Sequence, residues 1–298
     1  MYDFKLREKK LAIYIGLDIG GTKTLVHSVN KNGEELKRTR RDTPYKLADG
    51  LEMLFEMIDE VSQGSQILGI GAAIGGPLDV SKGTVSPLHQ PTWRDVPLKK
   101  IIEDKYNCPF YFDIDTNVAA LSEYHLKGYN QKTFLYITLS TGMGGGFLIN
   151  GLVYRGLSHP EIAHQSIEYK CSHPERIKCA CGARNCLSAI VSGTGISKIY
   201  DKPAAELSID EWKEVGYNLG QGLRNIACIL SPEIIVFGGG VITKQKDVLL
   251  TEAEKVMNDD LRIVSPPKLK ISDFDYDTAL YGASLIAKEG RKFYGEHS

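Results

Sequence analysis

Three cysteines, Cys179, Cys181 and Cys186, fall within eight residues of one another. Thiolates crowded this closely suit a metal ion, and six cysteines with no secretory mark fit a reducing compartment better than three disulfides. A set of buried free thiols is the plainer reading of the same trio. Two glycine turns offer a different chemistry. Asp18 to Lys23 (DIGGTK) and Ser140 to Gly146 (STGMGGG) each follow an apolar run. Glycine lets backbone N–H groups approach an anion with no Cβ in the way. Thr22 and Lys23 add a hydroxyl and a cation, and Asp18 suits a Mg²⁺ ion or its water. A tight hairpin explains either turn alone; two in one chain favour nucleotide phosphate. Gly238, Gly239 and Gly240 after an apolar strand can lie against a flat base or simply turn the chain into a helix. Asp113 and Asp115 alternate at a strand end, so only one can face a substrate as general base. Either can instead cap the helix that follows. Spacing does not choose between them.

These groups need strands to launch them and helices to follow. Apolar, β-prone runs predict strands at 11–17, 24–29, 35–39, 67–74, 109–112, 134–139, 147–149 and 234–237. The Asn32-Gly33 pair marks a hairpin turn. Helical spacing predicts helices at 47–61, 98–106, 118–127, 210–230 and 279–288. Residues 155–187 read as irregular. A strand, a glycine turn with a Thr and a second strand occur at Asp18 and again at Ser140, each opening half of the chain. That duplication argues for two α/β domains with a ligand cleft between them.

Composition bounds the partners. The 298 residues suffice for two domains. Lys and Arg total 36 against 37 Asp and Glu, so no basic field exists to hold a nucleic acid. No stretch approaches the ~20 apolar residues of a membrane helix. The opening MYDFKLREKK lacks the apolar core of a signal peptide. A cytoplasmic protein is expected.

Seven segments in order, DIGGTK, GIGAAIGGPLD, DIDTN, STGMGGG, HPEIAH, CACGARNC and SPEIIVFGGGV, resemble the ROK family (repressor, open reading frame, kinase) over about residues 13–287. The resemblance implies an α/β, two-domain actin-like ATPase (ribonuclease H-like) fold with an inter-domain cleft. Residues 1–117 would form one domain, with a closing helix at about 280–298 packed back on it. Residues 118–279 would form the larger domain, with a zinc loop at 159–188. The implied activity is an ATP-dependent sugar kinase acting on a hexose or hexose derivative at O6, with Asp115 as catalytic base. Asp18, Gly20, Gly21, Thr22, Lys23, Thr141, Gly142 and Gly239 would hold ATP and Mg²⁺. Gly76, Gln90, Asp115, Glu161, His164 and Ser188 would meet the sugar. His164, Cys179, Cys181 and Cys186 would hold a structural Zn²⁺, since four protein ligands leave no open position. Cys171 is a weaker alternative ligand, and Cys108 and Cys228 read as core. A homodimer is carried over from the family.

Three positions depart from the family pattern: Ile114, Gln90 and Ser188 stand where polar groups usually read the sugar. The departures suggest an unusual substrate. They also keep open a catalytically weak or silent sugar sensor. A DNA-binding repressor of this family carries an extra N-terminal helix-turn-helix, for which a first strand beginning by Leu11 leaves no room.

Overall fold

The computed structural model describes residues 11–244, 246–274 and 277–295. The opening MYDFKLREKK and the last three residues expected in the closing helix lie outside them. The strands are β1 (Ala12–Ile19), β2 (Lys23–Asn30), β3 (Glu35–Asp42), β4 (Gln66–Ile74), β5 (Leu78–Asp79), β6 (Thr84–Val85), β7 (Phe110–Ile114), β8 (Thr133–Leu139), β9 (Met143–Ile149), β10 (Leu152–Val153), β11 (Ile234–Gly238) and β12 (Lys268–Ile271). The helices are α1 (Leu47–Ser62), α2 (Leu98–Tyr106), α3 (Asp115–Leu126), α4 (Leu187–Val191), α5 (Gly193–Tyr200), α6 (Ile209–Leu230), α7 (Gly240–Lys244), α8 (Lys246–Asp260) and α9 (Thr278–Glu289). The chain divides into two compact units. One comprises the residues up to Val118 and again those from Ala279; the other is Ala119–Thr278.

In the first unit the strand order is β3-β2-β1-β4-β7. β1 pairs antiparallel with β2 and parallel with β4, and β4 runs parallel to β7. Ile13, Ile15, Leu17 and Ile19 alternate along β1 and join a core with Met53, Leu54, Met57 and Ile58 of α1 and Ile102 of α2. Each such side chain contributes about 1.5–3 kcal/mol when fully buried. On the opposite face of the sheet, β4 presents Gly69 and Gly71 where α9 covers it. A Cβ at Gly71 would lie 2.0 Å from the Ala283 carbonyl oxygen, and one at Gly69 would lie 2.6 Å from that of Ala287. The helix backbone therefore rests directly on the strands.

The second unit repeats the pattern as β10-β9-β8-β11-β12. β8 pairs antiparallel with β9 and parallel with β11, which runs parallel to β12. Ser208 and Glu211 form a reciprocal capping box that starts α6. Gly220 of α6 leaves room for α8: a Cβ there would meet the Ala253 carbonyl oxygen at 2.6 Å and Val256 Cβ at 2.7 Å.

The closing helix α9 ends at Glu289, short of the expected 298, and three further boundaries that differ from the sequence reading bear on the site. β1 runs through Ile19 and β2 begins at Lys23, so Asp18 and Lys23 belong to strands and the turn is only residues 20–22. β9 begins at Met143, so Gly144, Gly145 and Gly146 are strand residues opposite Thr138, Ile137 and Tyr136. Helix α3 begins at Asp115, three residues earlier than expected. The sequence reading also omitted α4, α5, α7, α8, β12 and the two-residue strands β5, β6 and β10.

Candidate active site

The parallel strands of the first unit end in line. Ile19 lies opposite Ile74, and Ile74 opposite Ile114. With strands about 4.8 Å apart, the turn at 20–22, Gly75-Gly76 and Asp115 all leave the sheet at one edge. Ligands of open α/β sheets bind at the carboxyl ends of strands.

The turn at 20–22 is tied from behind. The Gly20 N–H donates to the Lys23 carbonyl at 3.0 Å, and the Thr43 N–H donates to the Thr22 carbonyl at 3.0 Å. The Thr43 hydroxyl donates to the Gly20 carbonyl at 2.8 Å. The carbonyls of Gly20 and Thr22 are thus used on the protein side, while Gly21 and Thr22 are exposed. Lys23 Nζ donates to Asp42, its register partner across β2 and β3. Sequence reasoning missed Thr43 and Asp42. The sequence reading ended the third strand at Thr39, whereas β3 continues to Asp42.

Asp113 and Asp115 have separate environments. Asp113 is 1% exposed; its Oδ1 accepts from the Ile114 N–H at 2.7 Å and its Oδ2 from Asn117 Nδ2 at 3.3 Å. It fastens the first turn of α3. Asp115 is only partly buried, and its Oδ1 accepts from the Thr116 N–H at 2.7 Å. Ile114 lies beside Gly76: a Cβ there would sit 3.6 Å from Ile114 Cδ1. Gln90 is 2% exposed, and its Nε2 is buried without a hydrogen-bond acceptor. Its loop is held by Arg94 Nη1, which donates to the carbonyls of Pro87, Gln90 and Trp93 at 3.0, 3.1 and 2.7 Å.

In the second unit, Thr141 and Gly142 are exposed at the turn between β8 and β9. The Gly193 N–H donates to the Ser140 carbonyl at 2.8 Å, and the Thr194 N–H to the Thr141 carbonyl at 3.0 Å. The first residues of α5 therefore brace this turn, and Ser192 caps α5 by accepting from the Gly195 N–H. At the end of β11, Gly239 has φ +97°, and a Cβ there would lie 2.5 Å from the Leu139 carbonyl oxygen. Only glycine fits a position that is both left-handed and pressed flat on the neighbouring strand.

His164, Cys179, Cys181 and Cys186 place their ligand atoms within 4.8 Å of one another. His164 Nδ1 is 3.4 Å from Cys186 Sγ and 3.5 Å from Cys179 Sγ. Those separations match the edges of a tetrahedron with Zn–N near 2.0–2.1 Å and Zn–S near 2.3 Å, so the donor set fits Zn²⁺. Burial pushes the Cys186 thiol up to about 12. Exposed Cys181 is lowered, chiefly by the Ala183 backbone N–H. Cys171 is not in this group. His164 Nε2 is 4.0 Å from Glu161 Oε2, so the ring's other edge meets an exposed carboxylate. Ser188 is buried in the first turn of α4.

The model of the ROK family matches residues 14–290. A Bacillus subtilis (strain 168) protein named "Putative fructokinase" is 34% identical over 260 residues, covering 82% of this chain and 83% of its own. A glucokinase of Halalkalibacterium halodurans is 28% identical over 320 residues, covering 93% and 95%. Among solved structures, the ROK hexokinase of Thermus thermophilus has a TM-score of 0.75 at 26% identity, over 92% of this chain and 97% of its own. A ROK glucokinase of Streptomyces griseus in complex with glucose and AMPPNP has a TM-score of 0.75 at 24% identity, over 93% and 100%.

Proposed function

The chain belongs to the ROK family and has its two-domain actin-like α/β fold, and we propose that it is an ATP-dependent hexose kinase acting at O6 of a hexose or hexose derivative. Relatives named glucokinase, fructokinase and hexokinase support the hexose kinase role, and the AMPPNP complex of one structural neighbour supports ATP. The observation that carries the reading is the division of labour at the end of β7. Asp113 is spent inside the protein, whereas Asp115 stands partly open beside the glycine turns of the same sheet edge.

In this mechanism the acceptor hydroxyl donates to the Asp115 carboxylate. As its oxygen forms a bond to the γ-phosphorus, its proton passes to Asp115 and the bond to the bridging oxygen breaks. ADP leaves with that electron pair, and Asp115 returns the proton to solvent. General-base help of this kind is worth ~10²–10⁴-fold. The turns at 20–22 and at 140–142 offer backbone donors to phosphate oxygens, and Gly239 a flat surface to the base. Magnesium, held with the nucleotide near Asp18, would neutralise phosphate charge. Glu161 and His164 would orient sugar hydroxyls, with Gly76, Gln90 and Ser188 lining the same substrate. His164, Cys179, Cys181 and Cys186 would hold a structural zinc that orders the irregular loop. The reading includes a cytoplasmic homodimer without a nucleic-acid partner.

The test is coupled ADP release over a panel of hexoses and derivatives, with Asp115→Asn as control. Equal rates for the two proteins on the best sugar overturn the assignment of the base. A second reading, a silent sugar sensor, is favoured by apolar Ile114 next to Asp115. Calorimetric sugar binding without any phosphate transfer would select it.

A further inference from the structure

Phosphoryl transfer needs positive charge or strong donors at the terminal phosphate. The turn's own cation, Lys23, is shared with a carboxylate, because its Nζ donates to exposed Asp42 on the β3 side. On the other flank of the turn stands His89. The three atoms nearest a Cβ built on Gly21 all belong to it: Cβ at 2.5 Å, Cγ at 3.3 Å and Cα at 3.7 Å. His89 is therefore pressed against the Gly21 peptide, and glycine is required there because a side chain would collide with it. His89 is also exposed, as are Gly21 and Thr22. Its segment is fixed by the three carbonyls that Arg94 gathers on either side of it, from Pro87, Gln90 and Trp93. An imidazole on a rigid loop, beside an exposed glycine turn, is placed to donate to an oxyanion resting on that turn.

We propose that His89 is a phosphate ligand that donates to the terminal phosphate of the bound nucleoside triphosphate. The inference rests on the kinase reading above and adds to it a side chain that discriminates triphosphate from diphosphate. With His89 bound to the γ-phosphate, the triphosphate gains a contact that the diphosphate product lacks, which favours product release.

The test is calorimetric titration of the full chain, without sugar, using MgAMPPNP and MgADP. Wild type, His89→Ala, His89→Lys and Lys23→Ala are compared, with thermal melts as a folding control. A lost hydrogen bond to a charged group predicts that His89→Ala weakens MgAMPPNP about tenfold. MgADP should change less than about twofold, and His89→Lys should recover most of the loss because its ammonium also donates to an oxyanion. Lys23→Ala should cost less than His89→Ala. Equal AMPPNP affinity in wild type and His89→Ala overturns the proposal. So does an equal loss for both nucleotides, or triphosphate selectivity that disappears with Lys23→Ala alone. A wild type that binds neither nucleotide overturns the kinase reading itself.

Discussion

Asp113 Oδ2 accepts a hydrogen bond from Asn117 Nδ2 at 3.3 Å, so a carboxylate at the end of β7 and an amide one turn into α3 lock strand to helix. Asp115, between them in sequence, takes no part in that bond. The two acids should therefore fail in opposite ways. Asp115→Asn is expected to lower kcat by ~10²–10⁴-fold while leaving the melting temperature almost unchanged. Asp113→Ala strands buried donors and should cost about 1–3 kcal/mol in urea unfolding.

The zinc group makes a metal-analysis prediction. Purified protein should carry about one zinc per chain, and Cys186→Ser should abolish it while Cys171→Ser should not. The sign of the pH effect follows from the Cys186 thiol, raised by burial to about 12. In the metal-free fold its contribution to stability is complete below the unfolded value of about 8.5 and fades as pH climbs towards 12. Metal binding needs the thiolate, so zinc affinity should rise with pH. Calorimetry in buffers of different ionisation enthalpy should register proton release.

Glu123 offers a pH-dependence test away from the site. It is fully buried in α3, its Oε2 accepts from the Ser272 hydroxyl at 3.1 Å, and its Oε1 has no hydrogen-bond donor. Burial raises its pKa, with Asp273 adding to the shift and Ser272, Lys127 and Lys270 opposing it. A raised folded value means that its stability contribution is present below the unfolded value near 4.3 and lost as pH rises through the folded one. Glu123→Gln should therefore gain on the order of 1 kcal/mol at neutral pH. The advantage should vanish near pH 4, as read by urea midpoints at both values.

Two glycines should separate packing from binding. Gly71→Ala puts a methyl 2.0 Å from the Ala283 carbonyl oxygen. About 1–3 kcal/mol of stability or more should be lost, since neither backbone can yield. Gly142 has open space where its Cβ would go. Gly142→Ala should melt with wild type yet raise KM for ATP.

Ile114 offers the specificity test. Its half-buried side chain lies beside Gly76, next to the proposed base. Ile114→Asn should raise kcat/KM for fully hydroxylated hexoses relative to the native substrate by about tenfold or more, since matched polar groups discriminate strongly. An unchanged ranking across the sugar panel would refute it.

Strands β1, β4, β8 and β11 were legible because their apolar runs are continuous, and α6 because its periodicity is long. Helix α8 was not. Its sequence is mostly polar, and Leu249, Ala253 and Val256 acquire meaning only against Gly216 and Gly220 of α6. The two-residue strands and β12 carry too little pattern to register. Within the site, glycines, aspartates and cysteines could be singled out by type. The choice of Asp115 over Asp113 needed the family pattern, because both occupy strand-end positions with the same local grammar. His89, Thr43 and Asp42 were invisible, since each meets the turn only through contacts distant in sequence.

The placement of α9 sets an order of manufacture. The backbone of Gly69 and Gly71 is finished only when Ala283 and Ala287 arrive, yet those residues emerge after the whole of Ala119–Thr278. At ~5–20 residues per second, the unit begun first waits roughly ten to thirty seconds for its last layer. The later-born unit has a contiguous chain and can close beforehand. A chain truncated at Thr278 should hold a protease-resistant second half beside a first half that remains cleavable.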